Sequence, residues 1–227
     1  MPQPDTPPDE LGRRVPRPRD AYGAIRQMII ERVLRPGEHL VEYDLAKRLG
    51  VSRHRVREAL RRLGTDRWVD LWPAHGAFVH APDRDEVGQV LAVRTLLEAE
   101  CARLAAGRAG GSHLGRLVEL CRLGDAARAR GGRNEMVAVN GEFHAAVAAA
   151  SGNTALARLA GQLDRRAQWY YAMTTDDLAG RPWAEHHELV DAIRAGRARL
   201  AAEIMRGHTE RVRVICLDHM SGACPVP

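Results

Sequence analysis

The stretch Leu40–Leu63, LVEYDLAKRLGVSRHRVREALRRL, decides the fold. Leu40, Leu45, Ala46 and Leu49 space a short first helix, and Gly50 ends it, glycine being the residue that most easily takes positive φ just past a helix. Val51 is the apolar residue of the turn, and Ser52 is a good N-cap for a second helix. In that second helix Val56, Ala59, Leu60 and Leu63 recur at i, i+3, i+4 and i+7, one apolar face. Arg53, Arg57 and Arg61 lie on another face, Arg55 and Arg62 widen the charge, and Glu58 is the one acid. A basic helix face alone is as ordinary as solvated surface charge. Here the charge gathers at the N-terminal end, the part of a helix-turn-helix recognition helix that meets base edges.

The same residues carry a resemblance. VSRHRVREALRRL resembles the recognition helix of the GntR family of bacterial transcription regulators, where a Ser-Arg pair and two variable residues precede Val-Arg-Glu-Ala-Leu and an Arg-Leu. Ser52, Arg53, Val56, Arg57, Glu58, Ala59 and Leu60 match; His54 and Arg55 stand where many members have Thr and Pro, which implies a different base preference. The resemblance implies operator DNA as partner, met by Ser52, Arg53, His54, Arg55 and Arg57.

Outward from this stretch, the 227 residues suit two modest domains. Residues 1–82 hold 15 Lys and Arg against 11 Asp and Glu, whereas the rest holds 19 against 18, so the excess positive charge lies where phosphate is to be met. Residues 1–18, with six of the twelve prolines, read as a disordered tail with no signal-peptide core. No stretch is long and apolar enough to span a membrane, and four cysteines without CxxC spacing read as reduced small hydrophobes. A cytoplasmic protein is expected.

Asp20 can cap a helix over 21–33, and Pro36-Gly37 turns the chain into the helix-turn-helix. After it Trp68–Trp72 alternates, Pro73–Gly76 turns, and Ala77–His80 returns: a β-hairpin beside three helices, a winged helix over 19–82. His75 and Gly76 at the wing tip are placed to approach a phosphate or the minor groove. Asp66-Arg67-Trp68 departs from the Glu-Gly-Leu usual in the GntR family, while GAFV matches its wing.

From Asp83 the strand signals stop. Apolar spacing marks six helices, broken at GRAGGS (107–112), Gly131-Gly132, Ser151-Gly152-Asn153, a polar loop at 174–180 and Gly196. The expected fold is mainly α: a winged helix-turn-helix, then an all-α six-helix bundle over 83–219 and a tail over 220–227. The bundle resembles the FCD effector domain of the FadR-like subfamily, through Val93-Arg94 with Glu98, Phe143-His144, the SGN turn, Glu185-His186 with Asp191-Ala192-Ile193, and Met205-Arg206 with His208.

Two histidines face inward on pattern alone. His186 shares a face with Leu189, Val190 and Ile193, and His208 with Ile204, Met205, Val212 and Ile215. His187 is turned by about 100° and is rejected. His186 lies ten residues before Gly196 and His208 twelve after, so a helical hairpin there brings the imidazoles nearly level. His144 lies on a third helix, one turn after Asn140. The family's metal site matches at His144, which implies a divalent metal on Asn140, His144, His186 and His208: zinc first, nickel or manganese as alternatives. Asn140 replaces the Asp that many FCD domains carry, which weakens the ligand set. Arg94 matches a family position and is the candidate second grip on an anionic effector; a surface salt bridge with Glu98 is the alternative.

The expected function is a homodimeric, ligand-responsive transcription regulator, a repressor controlled by a small organic acid. A metal-dependent hydrolase fused to a DNA-binding module is the competing class, disfavoured because no general base shows beside the site; a ligand-independent architectural DNA binder is the third.

Overall fold

The computed structural model describes residues 20–108, 112–173 and 182–221. The expected tail over 1–18, the polar loop at 174–180 and most of the stretch from 220 lie outside them, as does Cys224. Elements run α1 (Ala21–Ile30), β1 (His39–Leu40), α2 (Glu42–Leu49), α3 (Arg53–Thr65), β2 (Val69–Trp72), β3 (Gly76–Val79), α4 (Arg84–Ala106), α5 (Ser112–Ala129), α6 (Arg133–Ala150), α7 (Thr154–Met173), α8 (Pro182–Arg194) and α9 (Ala198–Ser221).

The described residues divide into two units, 20–28 with Gly37–His80 and Ile29–Pro36 with 81–221. In the first, Gly50 ends α2 at φ 65°, and the Ser52 hydroxyl caps α3 by accepting from the Arg55 amide. Val56, Ala59, Leu60 and Leu63 are all buried, the apolar face read from their spacing. Ile25, Leu40, Leu45, Trp68, Val69 and Val79 are buried in the same unit. Tyr22 fastens α1 to α3: its hydroxyl donates to Asp66 at 2.6 Å, and the Arg62 guanidinium lies 4.6 Å from its ring centroid.

The wing is a three-stranded antiparallel sheet of order β1-β3-β2, with Trp72 opposite Gly76 and His39 opposite Phe78. Gly76 has φ 98°, and a Cβ there would meet the His39 ring at 2.8 Å, so glycine is required. Two readings need correction. Leu40 lies in β1 and not in the first helix of the helix-turn-helix, which starts at Glu42. The first helix ends at Ile30 rather than residue 33, because Arg32 adopts φ 58°. The Ile29–Pro36 turn belongs with the second unit, where the Arg32 guanidinium donates to the Ala172 carbonyl at 3.1 Å.

The second unit is the expected six-helix bundle. α4 is central, packing on α9, α7, α6 and α8. Its core includes Ala102, Leu117, Leu120, Phe143, Leu189 and Ala201. Asp83 caps α4 through the Glu86 amide at 2.7 Å. α8 and α9 meet at Gly196, φ 67°, which makes them a hairpin. Cys101, Cys121 and Cys216 are buried free thiols, each with its pKa pushed up to about 12 by burial. Among the described residues, no helix is long and apolar enough to cross a membrane.

Candidate nucleic-acid interface and metal centre

In the first unit, Arg53, His54, Arg55 and Arg57 are exposed on the first turns of α3, beside the capping Ser52. Exposed charge at a helix N-terminus is the arrangement that enters a major groove. Two of the arginines are not free. Arg57 donates from Nε and Nη2 to Glu42 at 2.8 and 2.7 Å, and Arg53 Nη2 lies 3.8 Å from the same carboxylate. These arginines hold the Glu42 carboxyl below the usual range. The spacing of the sequence does not single out Glu42, because it sits on a different helix fifteen residues before Arg57. His75 and Gly76 are exposed at the wing tip, where His75 Nδ1 bonds to the Pro73 carbonyl at 2.9 Å.

In the second unit, α6, α8 and α9 bring His144, His186 and His208 together. Ring centroids lie 4.7 Å apart for His186 and His208, 5.2 Å for His144 and His208, and 5.5 Å for His144 and His186. All three are buried, and one ligand atom from each lies within 4.8 Å of the others. Phe143 and Trp183 box His186, at 4.3 and 4.7 Å between centroids. His187, rejected from its helical angle, is exposed and pairs with Asp125 at 2.8 Å. Asn140 is half-buried one turn before His144.

Burial holds His186 and His208 neutral. The His186 pKa falls well below its ordinary value, and that of His208 falls to about 4 despite the hydrogen bond it makes with Glu185. Neutral imidazole is the metal-binding form. Neither nitrogen of His186, nor His144 Nε2, has a hydrogen-bond partner among the described residues. Buried polar nitrogens left without partners are costly, and a metal ion would satisfy one on each ring. The cluster therefore fits a divalent metal, whose identity these residues leave open between zinc and other nitrogen-preferring ions.

Two carboxylates touch the cluster, each tied to an arginine as well as to an imidazole. Glu185 Oε2 accepts from His208 Nδ1 at 2.9 Å, and Arg211 Nη2 pairs with Glu185 Oε1 at 2.5 Å. Glu98 Oε2 lies 2.8 Å from His144 Nδ1. Glu98 also pairs with Arg94 at 2.8 Å. That pair is not on the surface: Arg94 is 1% and Glu98 3% exposed. Arg94 is further held by Asp164 at 3.1 Å and by the Tyr171 hydroxyl at 2.5 Å. Burial works against its charge, but Glu98 and Asp164 keep it protonated.

The comparisons match both units. A model described as bacterial regulatory proteins, gntR family, matches residues 18–79, and the FCD domain model matches residues 89–211, more than half of the chain. The chain belongs to the GntR family. This GntR-family chain with its FCD domain is a transcription regulator and not an enzyme. It is 30% identical, over 86% of its length and 82% of the relative's, to an HTH-type transcriptional regulator from an unstable DNA locus of Streptomyces ambofaciens. It is 28% identical to the Uxu operon transcriptional regulator of Escherichia coli, covering 89% of this chain and 88% of that one. Among solved structures, a GntR transcriptional regulator from Rhodococcus sp. RHA1 superposes with a TM-score of 0.71 at 26% identity, over 89% of this chain and 97% of the other.

Proposed function

We propose that this GntR-family regulator is a repressor whose grip on its operator is set by a small carboxylate metabolite bound at a divalent metal in the FCD domain. The three buried imidazoles carry this reading, because one nitrogen from each converges on the others, and neither nitrogen of His186, nor His144 Nε2, has a hydrogen-bond partner among the described residues. Asn140, His144, His186 and His208 are the proposed ligands, with zinc the first choice and nickel or manganese the alternatives. When bound, the metal supplies a Lewis-acidic centre for an anion. Asn140 and three neutral imidazoles would bring no negative charge of their own to the metal, so a carboxylate is favoured in an open position.

Arg94 is the proposed second contact for that anion. Its hydrogen-bonding fork is already engaged by Glu98, Asp164 and Tyr171, so an entering carboxylate takes the place of Asp164. Burial raises the Asp164 pKa, which lowers the cost of leaving that carboxyl without its partner in neutral form.

In the first unit, Ser52, Arg53, His54, Arg55 and Arg57 enter the major groove, and His75 and Gly76 approach the backbone or minor groove. One winged helix covers half an inverted site, so the working form is a homodimer on duplex DNA in the cytoplasm. The test begins with a DNA site selected from random duplexes. Binding to it is then measured with metal-loaded and metal-stripped protein, across a panel of small carboxylic acids. An acid that releases DNA only from the metal-loaded protein is the expected result; a metal-stripped protein that responds fully overturns the metal-anchored site.

A further inference from the structure

We infer that Glu185, braced by Arg211, is the positioning residue that aims His208 at the metal. The inference rests on the proposed metal site and adds to it two residues that touch no metal. His208 is hydrogen-bonded to a side chain across the hairpin: its Nδ1 donates to Glu185 Oε2 at 2.9 Å. An ionised carboxylate only accepts, so this bond fixes the proton on Nδ1 and leaves the Nε2 lone pair for a cation. His186, by contrast, has no hydrogen-bond partner on either nitrogen among the described residues, and its ring is held by Phe143 and Trp183.

Glu185 is itself held. Its other oxygen pairs with Arg211 at 2.5 Å, and Arg211 is 56% exposed while His208 is 4% exposed. The three side chains form a line from solvent to the buried cluster, Arg211 to Glu185 to His208. Glu185 and His208 sit on the two arms of the α8–α9 hairpin, and Arg211 lies three residues beyond His208, so the line also fixes one arm against the other. Such a carboxylate behind a ligating imidazole raises its basicity and fixes its orientation, and its loss costs a metal site about 10- to 100-fold in affinity.

The experiment uses the full-length protein, with zinc affinity measured by competition against a chromophoric chelator and the metal-free melting temperature measured beside it. Glu185→Ala is expected to weaken zinc about 10- to 100-fold with little change in metal-free melting. Arg211→Ala is expected to weaken it less, and to add nothing further on the Glu185→Ala background, since it acts through Glu185. The visible spectrum of the cobalt(II) form is expected to change in Glu185→Ala. Wild-type zinc affinity in Glu185→Ala, or a loss explained by a lowered metal-free melting temperature, overturns the inference. Full additivity of the two substitutions removes Arg211 from it. His208→Ala separates the two levels: if it binds zinc like wild type, the metal reading itself fails, whereas loss in His208→Ala with none in Glu185→Ala defeats the positioning role alone.

Discussion

Arg57 forks its guanidinium onto both carboxylate oxygens of Glu42, at 2.8 and 2.7 Å, so a proposed base-reading arginine is held by an acid on the neighbouring helix. Both side chains reach solvent, and an exposed pair of this kind adds little to stability. Its effect belongs to DNA binding. Removing the Glu42 charge takes a negative group from the surface that meets phosphate and frees Arg57 and Arg53 for the backbone. Glu42→Gln is expected to bind non-operator duplex more tightly, with a steeper salt dependence and a smaller operator preference, while melting as wild type does. Arg57→Ala is expected to lose on the order of 10- to 100-fold at one base position. Fluorescence anisotropy on operator and scrambled duplexes at several salt concentrations checks both; unchanged discrimination in Glu42→Gln contradicts the first.

Metal content offers a direct measurement on the three-imidazole cluster. Protein purified without chelator is expected to carry about one divalent ion per chain by elemental analysis, and His144→Ala and His208→Ala to carry little. A ligand that binds the folded state alone raises its melting temperature, so chelator treatment is expected to lower that of wild type and to leave the variants unmoved. Equal metal in all three proteins places the site elsewhere.

Much of this fold is legible in the chain because its signals are local. Gly50 and Ser52 punctuate the helix-turn-helix by their own backbone and hydroxyl chemistry, and Val56, Ala59, Leu60 and Leu63 declare a face by spacing. Helical rise on either side of Gly196 levels His186 with His208, and their rings do meet at 4.7 Å between centroids. What escapes such reading is what only pairing creates. His39–Leu40 is a two-residue strand defined by its partner β3, so nothing in its own composition separates it from α2. Glu42 looks like an ordinary helix-surface acid in the chain, and Glu98 and Glu185 carry the FCD resemblance without declaring their contacts, because the partners Arg57, His144 and His208 lie on other helices. Asp164 and Tyr171 escape for the same reason: each meets Arg94 only because α7 packs on α4.

Arg94 distinguishes a buried network from a surface pair. Its side chain is 1% exposed between Glu98 and Asp164. Removing it leaves two buried carboxylates without their cation, a change that costs about 3–5 kcal/mol, where losing an exposed pair costs about 1 kcal/mol or less. Arg94→Ala is therefore expected to shift the urea midpoint strongly downward with the slope kept. Arg94→Lys is expected to recover part of the loss, since it restores the charge without the planar fork. A midpoint for Arg94→Ala near that of wild type would show that the network carries no structural load.

Assembly is dictated by the geometry of reading DNA. A single recognition helix spans too few base pairs for operator specificity, and two-fold dimers solve this by placing two such helices one turn of duplex apart, about 34–36 Å. The fragment Ala21–His80 holds the recognition helix but not the FCD bundle, so it is expected to bind a half-site weakly and without preference for spacing. The full chain is expected to sediment as a dimer at micromolar concentration and to prefer inverted half-sites separated by about 10–10.5 base pairs or a multiple. Inserting about half a turn of duplex, roughly five base pairs, between the half-sites turns one of them to the opposite side, and affinity is expected to fall toward that of a single half-site. Sedimentation velocity with and without operator, beside binding to the spaced duplexes, decides the matter: a strictly monomeric mass in both conditions, or indifference to the insertion, sinks the dimeric reading.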